Sequence, residues 1–255
     1  GGDVTATVGD GITATNTAAA ANAGTIEAQD NSFVRLVNFA SVFGGTLATG
    51  GTGSIRVPTG QNGFFTNVTN TGLAVGENNS DFGVSIGFVN NGTIRLDAGA
   101  NATDFEIQND ATLSGTGQLI MSGALAGING PDNARLTNAA GHTIRGQGSI
   151  GQVTTWLTNN GLIDADVPGG TLTITADGTA GATAMINTGT MRASNGGTLV
   201  ISGAEGDITS TDGLIEAQNG SQVHFVSFID VRGGTLTASG TGSLRVTEGQ
   251  NAFFE

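Results

Sequence analysis

Residues 24–65 read GTIEAQDNSFVRLVNFASVFGGTLATGGTGSIRVPTGQNGFF, and residues 213–254 read GLIEAQNGSQVHFVSFIDVRGGTLTASGTGSLRVTEGQNAFF. An offset of 189 residues superimposes the two without a gap, with about 25 of 42 positions identical. Duplication at this level restricts the chain to folds assembled from repeated units, each burying its apolar face against the next.

Inside the long repeat lies a shorter one, Asn-x-Gly-Thr-Ile-x-Ala, then a turn, then Gly-x-Leu-x-Ile. Its anchors, the first aliphatic after the glycine, are Ile26, Leu47, Ala74, Ile94, Leu113, Ile144, Ile163, Met191, Ile215 and Leu236. Their spacing averages about 23 residues and varies, as loop insertions between stacked coils require. The expectation is an all-β parallel β-helix (β-solenoid) of about 10–11 coils, right-handed by the general rule for parallel crossovers. Residues 1–255 read as one continuous solenoid. At about 4.8 Å per coil it makes a rod about 50 Å long.

A second short strand follows each anchor. Its apolar pairs Val34/Leu36, Ile55/Val57, Val84/Ile86, Phe105/Ile107, Leu119/Met121, Leu172/Ile174, Leu199/Ile201, Val223/Phe225 and Leu244/Val246 should face inward. The residues between them, such as Arg35, Arg56, Glu106, His224 and Arg245, should face water. Two residues before most anchors stands Gly24, Gly45, Gly72, Gly92, Gly161, Gly189, Gly213 or Gly234, where a turn with φ > 0 would select glycine. Four before stands Asn22, Asn70, Asn90, Asn109, Asn159 or Asn187. Stacking would align these amides in a ladder; the alternative is that asparagine is simply tolerated in an αL turn. Immediately after the anchor, Arg145, Asp164, Arg192 and Glu216 should share one outer row of alternating sign. The phenylalanines in and near the duplicated stretches, Phe39, Phe64, Phe65, Phe228, Phe253 and Phe254 among them, are expected to fill a wider coil as an internal stack rather than to form a ligand platform. Residues 17–23 are the one helix-prone stretch.

Composition fits short strands and tight turns, with 44 Gly, 3 Pro, no Cys and 11% charged residues against 37% apolar. Disorder needs the opposite balance. All 8 basic residues are arginine, and the net charge of −13 argues against nucleic acid or anionic lipid as partner. No apolar run approaches the roughly 20 residues of a membrane-spanning helix. The chain opens on Gly-Gly and stops inside its second long copy, which reads as an excerpt of a longer array or a processed subunit.

The alternating NxGTIxA and GGTLxI motifs resemble the repeats of large bacterial surface and secreted proteins: autotransporter passenger domains, filamentous-haemagglutinin-type adhesins and other β-strand-repeat proteins. The resemblance implies a right-handed β-helix, an extracellular or cell-surface location and a non-enzymatic structural or adhesive role. The partners it implies are another cell surface or a glycan. A second expectation is a self-assembling filament whose partner is another copy of the chain, since an uncapped solenoid end is a template for further strands.

A polysaccharide lyase or hydrolase is the rival on this fold, and it needs clustered carboxylates with basic residues beside them. The nearest pair is Asp164 and Asp166, expected to be exposed. There is no Asp-Asp, no lysine, and Gly141-His142-Thr143 stands where Gly-His-Gly would be sought. No catalytic, cofactor-binding or metal-ligating residue is assigned. Calcium is the one cofactor considered, but Asp3, Asp10, Asp132, Asp177 and Asp207 are scattered and form no calcium-repeat motif. The GxGxxG match at 146–151 lacks a βαβ setting and reads as turn glycines. His142 and His224 are expected as satisfied surface or strand histidines. Asn67, Asn78, Asn91, Asn101 and Asn219 begin N-x-S/T triplets, as chance allows in so Asn- and Thr-rich a chain. The alternating threonines of 171–175 would suggest an ice-binding face only if they recurred coil after coil, which they do not.

Overall fold

The computed structural model describes residues 4–6, 11–15, 24–152, 155–177, 184–204 and 207–255. Their regular elements are all strands, paired in parallel and wound around three sides. The first side is an 11-stranded sheet with one strand per coil, from Gly11–Thr15 and Phe33–Val37 through Thr93–Leu96 to Thr235–Ala238. The second and third sides make one 19-stranded sheet, because Asn62–Asn70, Asp81–Asn90 and Thr103–Ser114 continue around the corner between them. The protein is therefore a parallel β-solenoid with coils about 23 residues apart. Residues 17–23 lie outside the described residues.

Ala74, Ile94, Ile144, Ile163, Met191, Ile215 and Leu236 form one inward column of the first side. Leu119 fills the level between Ile94 and Ile144. Leu113, Ile26 and Leu47 are corrections, for they lie on the third side. The duplicated stretches thus keep their internal register while changing sides. Ile26 pairs with Leu47 on the third side, and the corresponding Ile215 pairs with Leu236 on the first. Val34 pairs with Ile55 on the first side, and Val223 with Leu244 on the second. Eight successive pairings carry the third side from Thr25–Ala28 to Asp207–Thr209, and the next strand in the chain is Leu214–Ala217 on the first side. The long repeat is therefore eight coils plus one side, about a third of a turn out of phase with the winding.

The interior is a continuous column of aliphatics with phenylalanines at its centre. Phe65 stacks on Phe82 at 4.1 Å and Phe82 on Phe105 at 5.9 Å, which gives part of the expected internal stack. Ile86 departs from the inward pattern, because its backbone turns the corner at φ 68° and carries the side chain outward. Leu236 and Val246 face inward but remain exposed, because no further coil covers them in the structure; their counterparts Leu47 and Val57 are buried. The corner glycines are selected mainly by closeness rather than by φ. A Cβ on Gly92 would sit 2.2 Å from the carbonyl oxygen of Gly72, and one on Gly189 2.2 Å from that of Gly161; only Gly45 and Gly234 of the set have φ > 0.

The amide ladder exists and has a polarity. The side-chain nitrogen of Asn70 donates to Asn90 Oδ1 at 2.8 Å, Asn138 to Asn159 at 2.8 Å, Asn159 to Asn187 at 2.9 Å, and Asn187 to Ser210 Oγ at 3.3 Å. The coil between Asn90 and Asn138 brings Leu113, not an amide, against Asn138. His142 closes that gap: Asn90 Nδ2 donates to its Nε2, and its Nδ1 donates to Asn138 Oδ1 at 2.9 Å. His142 is thus fully buried inside the structure rather than on its surface. Asn109 is not a member, standing at an exposed corner where its Oδ1 accepts from the Ile86 amide. Asn22 lies outside the described residues.

Candidate functional site

Outward residues of the first side form a charged row. Arg35 pairs in register with Arg56, Arg56 with Val75, Val75 with Arg95, Arg95 with Ile120, and Ile120 with Arg145. Arg145, Asp164, Arg192 and Glu216 then follow in the expected order. Five of the 8 arginines therefore stand on one line of an acidic protein. Most are neutralised where they stand. Arg56 pairs with Glu77 at 3.0 Å, Arg95 with Asp97 at 2.7 Å, Arg145 with Asp166 at 2.8 Å, and Arg192 with Asp164. Arg35 differs: its guanidinium lies over the Phe33 ring, 4.4 Å from the centroid, and no carboxylate is within ion-pair reach among the described residues.

Asp164 and Asp166 do not form the exposed pair expected. Asp164 is 4% exposed and accepts from Arg192 and, at 2.8 Å, from Ser194 Oγ. Asp166 is held by Arg145 of the preceding coil. The two carboxylates are thus tied to opposite neighbours. A different acidic group has the perturbed chemistry. On the second side Asp81 pairs in register with Asp104, and Glu106 stands two residues on. Burial raises the pKa of all three, and Asp81 adds like-charge repulsion to Asp104 and Glu106. Among the described residues, no group of three or more His, Asp or Glu is placed to hold a metal ion. Asp207, weighed for calcium, is paired with Arg232 at 2.8 Å; Asp3 and Asp10 lie outside the described residues. Gly146 and Gly148 of the GxGxxG match turn a corner at φ 123° and 122°. His224 lies half-buried on the second side, bonded to Gln222 Oε1 at 2.8 Å.

The surface feature that recurs is aromatic. Phe39 is 61% exposed and Phe228, its counterpart 189 residues on, is 63% exposed. Both sit in the left-handed region, at φ 59° and 55°, directly after Asn38 and Ser227 with φ 54° and 60°. A bulky side chain there is strained. Each corner is held by the next coil: Gln61 Oε1 accepts the Asn38 amide at 2.8 Å, and Gln250 Oε1 accepts the Ser227 amide at 2.7 Å. Phe64 lies parallel to Phe39, with centroids 6.3 Å apart and planes 9° apart. Gly83 in the adjoining coil leaves it room, since a Cβ there would meet the Phe64 ring at 2.4 Å. Phe64 is half-buried, whereas its counterpart Phe253 is exposed. Beside Phe39 a cavity of about 410 Å³ is lined by Arg35, Val37, Asn38, Pro58, Thr59, Gln61 and Glu77.

These exposed rings correct the expectation that the phenylalanines are internal, and the signal was in the alternation. If Val34, Leu36, Ala40 and Val42 face in, Phe39 is on the outward parity; the same holds for Phe228 between Phe225 and Ile229. Fold and surface together define a parallel β-solenoid rod with a duplicated, strained aromatic corner. The chain matches no protein-family model, and no curated protein or solved structure matches it.

Proposed function

We propose that the protein is a non-enzymatic extracellular rod, a stalk or passenger of a bacterial surface adhesin, whose work is reach and contact. The observation that carries this reading is the Phe39 and Phe228 corner. Stacking alone does not call for a strained, exposed phenylalanine, yet both long copies keep one together with its glutamine clamp. A feature that costs stability and faces water fits contact with a partner. The test is retention of the purified chain on cells, matrix proteins and glycan-coated surfaces. Failure to be retained on any of them would remove the adhesive role.

A further inference from the structure

The geometry points to a binding site for a carboxylate-bearing sugar at the corner formed by Arg35, Phe39, Phe64 and Gln61. The inference rests on the contact-rod reading and names the ligand class for one of its surfaces.

Three features converge. The exposed Phe39 ring, parallel to the half-buried Phe64 ring, offers an apolar face whose negative quadrupole suits the slightly positive C–H face of a pyranose. The adjoining cavity, about 410 Å³, is of the size that takes a small ligand. In its wall stands Arg35, the arginine of the outer row with no carboxylate partner among the described residues. The Phe33 ring beneath holds that guanidinium in place before any ligand arrives. A planar guanidinium bonds a carboxylate through two parallel N–H donors. Glu77, also in the wall, is already paired with Arg56 at 3.0 Å, which leaves Arg35 as the charge that selects an acid. Asn38, Thr59 and Gln61 supply polar groups for sugar hydroxyls around the same opening. The strained backbone at Phe39 keeps its ring out of the core, and the cavity reaches that corner through Asn38 and Gln61, which line it and are bonded to each other.

The carboxylate can belong to a uronate or to a sialate, and the experiment separates them. The whole 255-residue chain is titrated calorimetrically with trigalacturonate, with 3′-sialyllactose and with neutral maltotriose. At least one acidic sugar is expected to bind tenfold or more tightly than maltotriose, and the tighter of the two identifies the acid. R35Q is expected to abolish that preference. F39G is expected to weaken binding at least fivefold while leaving the melting temperature unchanged or raised, since glycine adopts φ 59° freely; loss of fold then cannot explain the loss of binding. No binding of either acidic sugar at millimolar concentration, or binding that survives both substitutions, overturns the site. Retention on surfaces is measured with the same variants. A wild-type rod that is retained equally well as R35Q and F39G sinks this site and leaves the contact-rod reading standing. A rod that binds the acidic sugar in solution but is retained nowhere does the reverse.

Discussion

Asn90 donates its side-chain amide to Nε2 of His142 across 3.0 Å, between residues 52 apart in the sequence. Because Asn90 is the donor, Nε2 must accept, so the single ring proton stands on Nδ1 and is given to Asn138. The imidazole is therefore neutral, and burial pushes its pKa down from 6.5 to about 4. The unfolded chain takes up this proton before the folded one does. The stability that neutral His142 contributes is expected to be complete above pH 6.5 and to fall by about 3 kcal/mol as the pH drops to about 4. Urea midpoints across pH 4–8 should show this slope in the wild type and lose it in H142Q; an unchanged slope in H142Q would contradict the assignment.

The carboxylates of the second side act in the opposite sense. Asp81, Asp104 and Glu106 have raised pKa values, so the folded state holds their protons more tightly than the unfolded chain does. Their contribution to stability is gained as the pH falls through the raised pKa values and lost as it rises past them. Asp104→Asn, which removes the charge facing Asp81, should stabilise the fold at pH 7 by a few tenths to about 1 kcal/mol. Thermal melts at pH 7 and pH 3.5 check this, with the gain expected to shrink at the lower pH.

Removing Asp164 should be more damaging than removing any other acid of the outer row. Its carboxylate is shielded from water and serves both Arg192 and Ser194. Asp164→Ala strands the guanidinium and the hydroxyl together, at about 2–3 kcal/mol. Arg232 makes a useful contrast, since it reaches Asp207, Asp230 and Glu255 at the surface. Arg232→Gln should cost less than about 1 kcal/mol. Equal losses in denaturant titrations of the two variants would refute the distinction.

Alanine at Gly92 would place a Cβ 2.2 Å from the Gly72 carbonyl oxygen, so adjacent coils would have to part. A loss of more than about 2 kcal/mol is expected, measured by chemical denaturation. At Gly220 nothing lies within 4 Å, and only its φ of 78° resists a side chain. Gly220→Ala should cost about 1 kcal/mol. Comparable costs at both sites would show that close stacking does not select the corner glycines.

What could be read from the sequence followed from residues at constant parity. The row from Arg145 to Glu216 was legible because each member directly follows an inward anchor, and parallel stacking at fixed register preserves that relation. The place of residues 24–65 was not legible. Each side of the solenoid asks for the same short strand with alternate residues inward, so Ile26 satisfies the third side as well as Ile215 satisfies the first. The ladder was found where asparagine stands four residues before its anchor. It was missed at Asn138, which stands six before Ile144, and at His142, whose ring spans a level that lacks an amide. Arg35 looked like any outward arginine, and only the three-dimensional partners of Arg56, Arg95, Arg145 and Arg192 set it apart.

The mismatch between the long repeat and the winding has a consequence for valency. Eight coils and one side separate Phe39 from Phe228, about 40 Å along the rod at 4.8 Å per coil. The same interval turns the second ring about a third of the way around the axis. A rigid flat surface that meets one corner cannot meet the other. One rod therefore cannot grip a single wall twice and gain the avidity of two linked sites. On the proposed contact reading, a rod with both corners engaged would hold two separate bodies apart at a fixed angle, as a cross-linking strut.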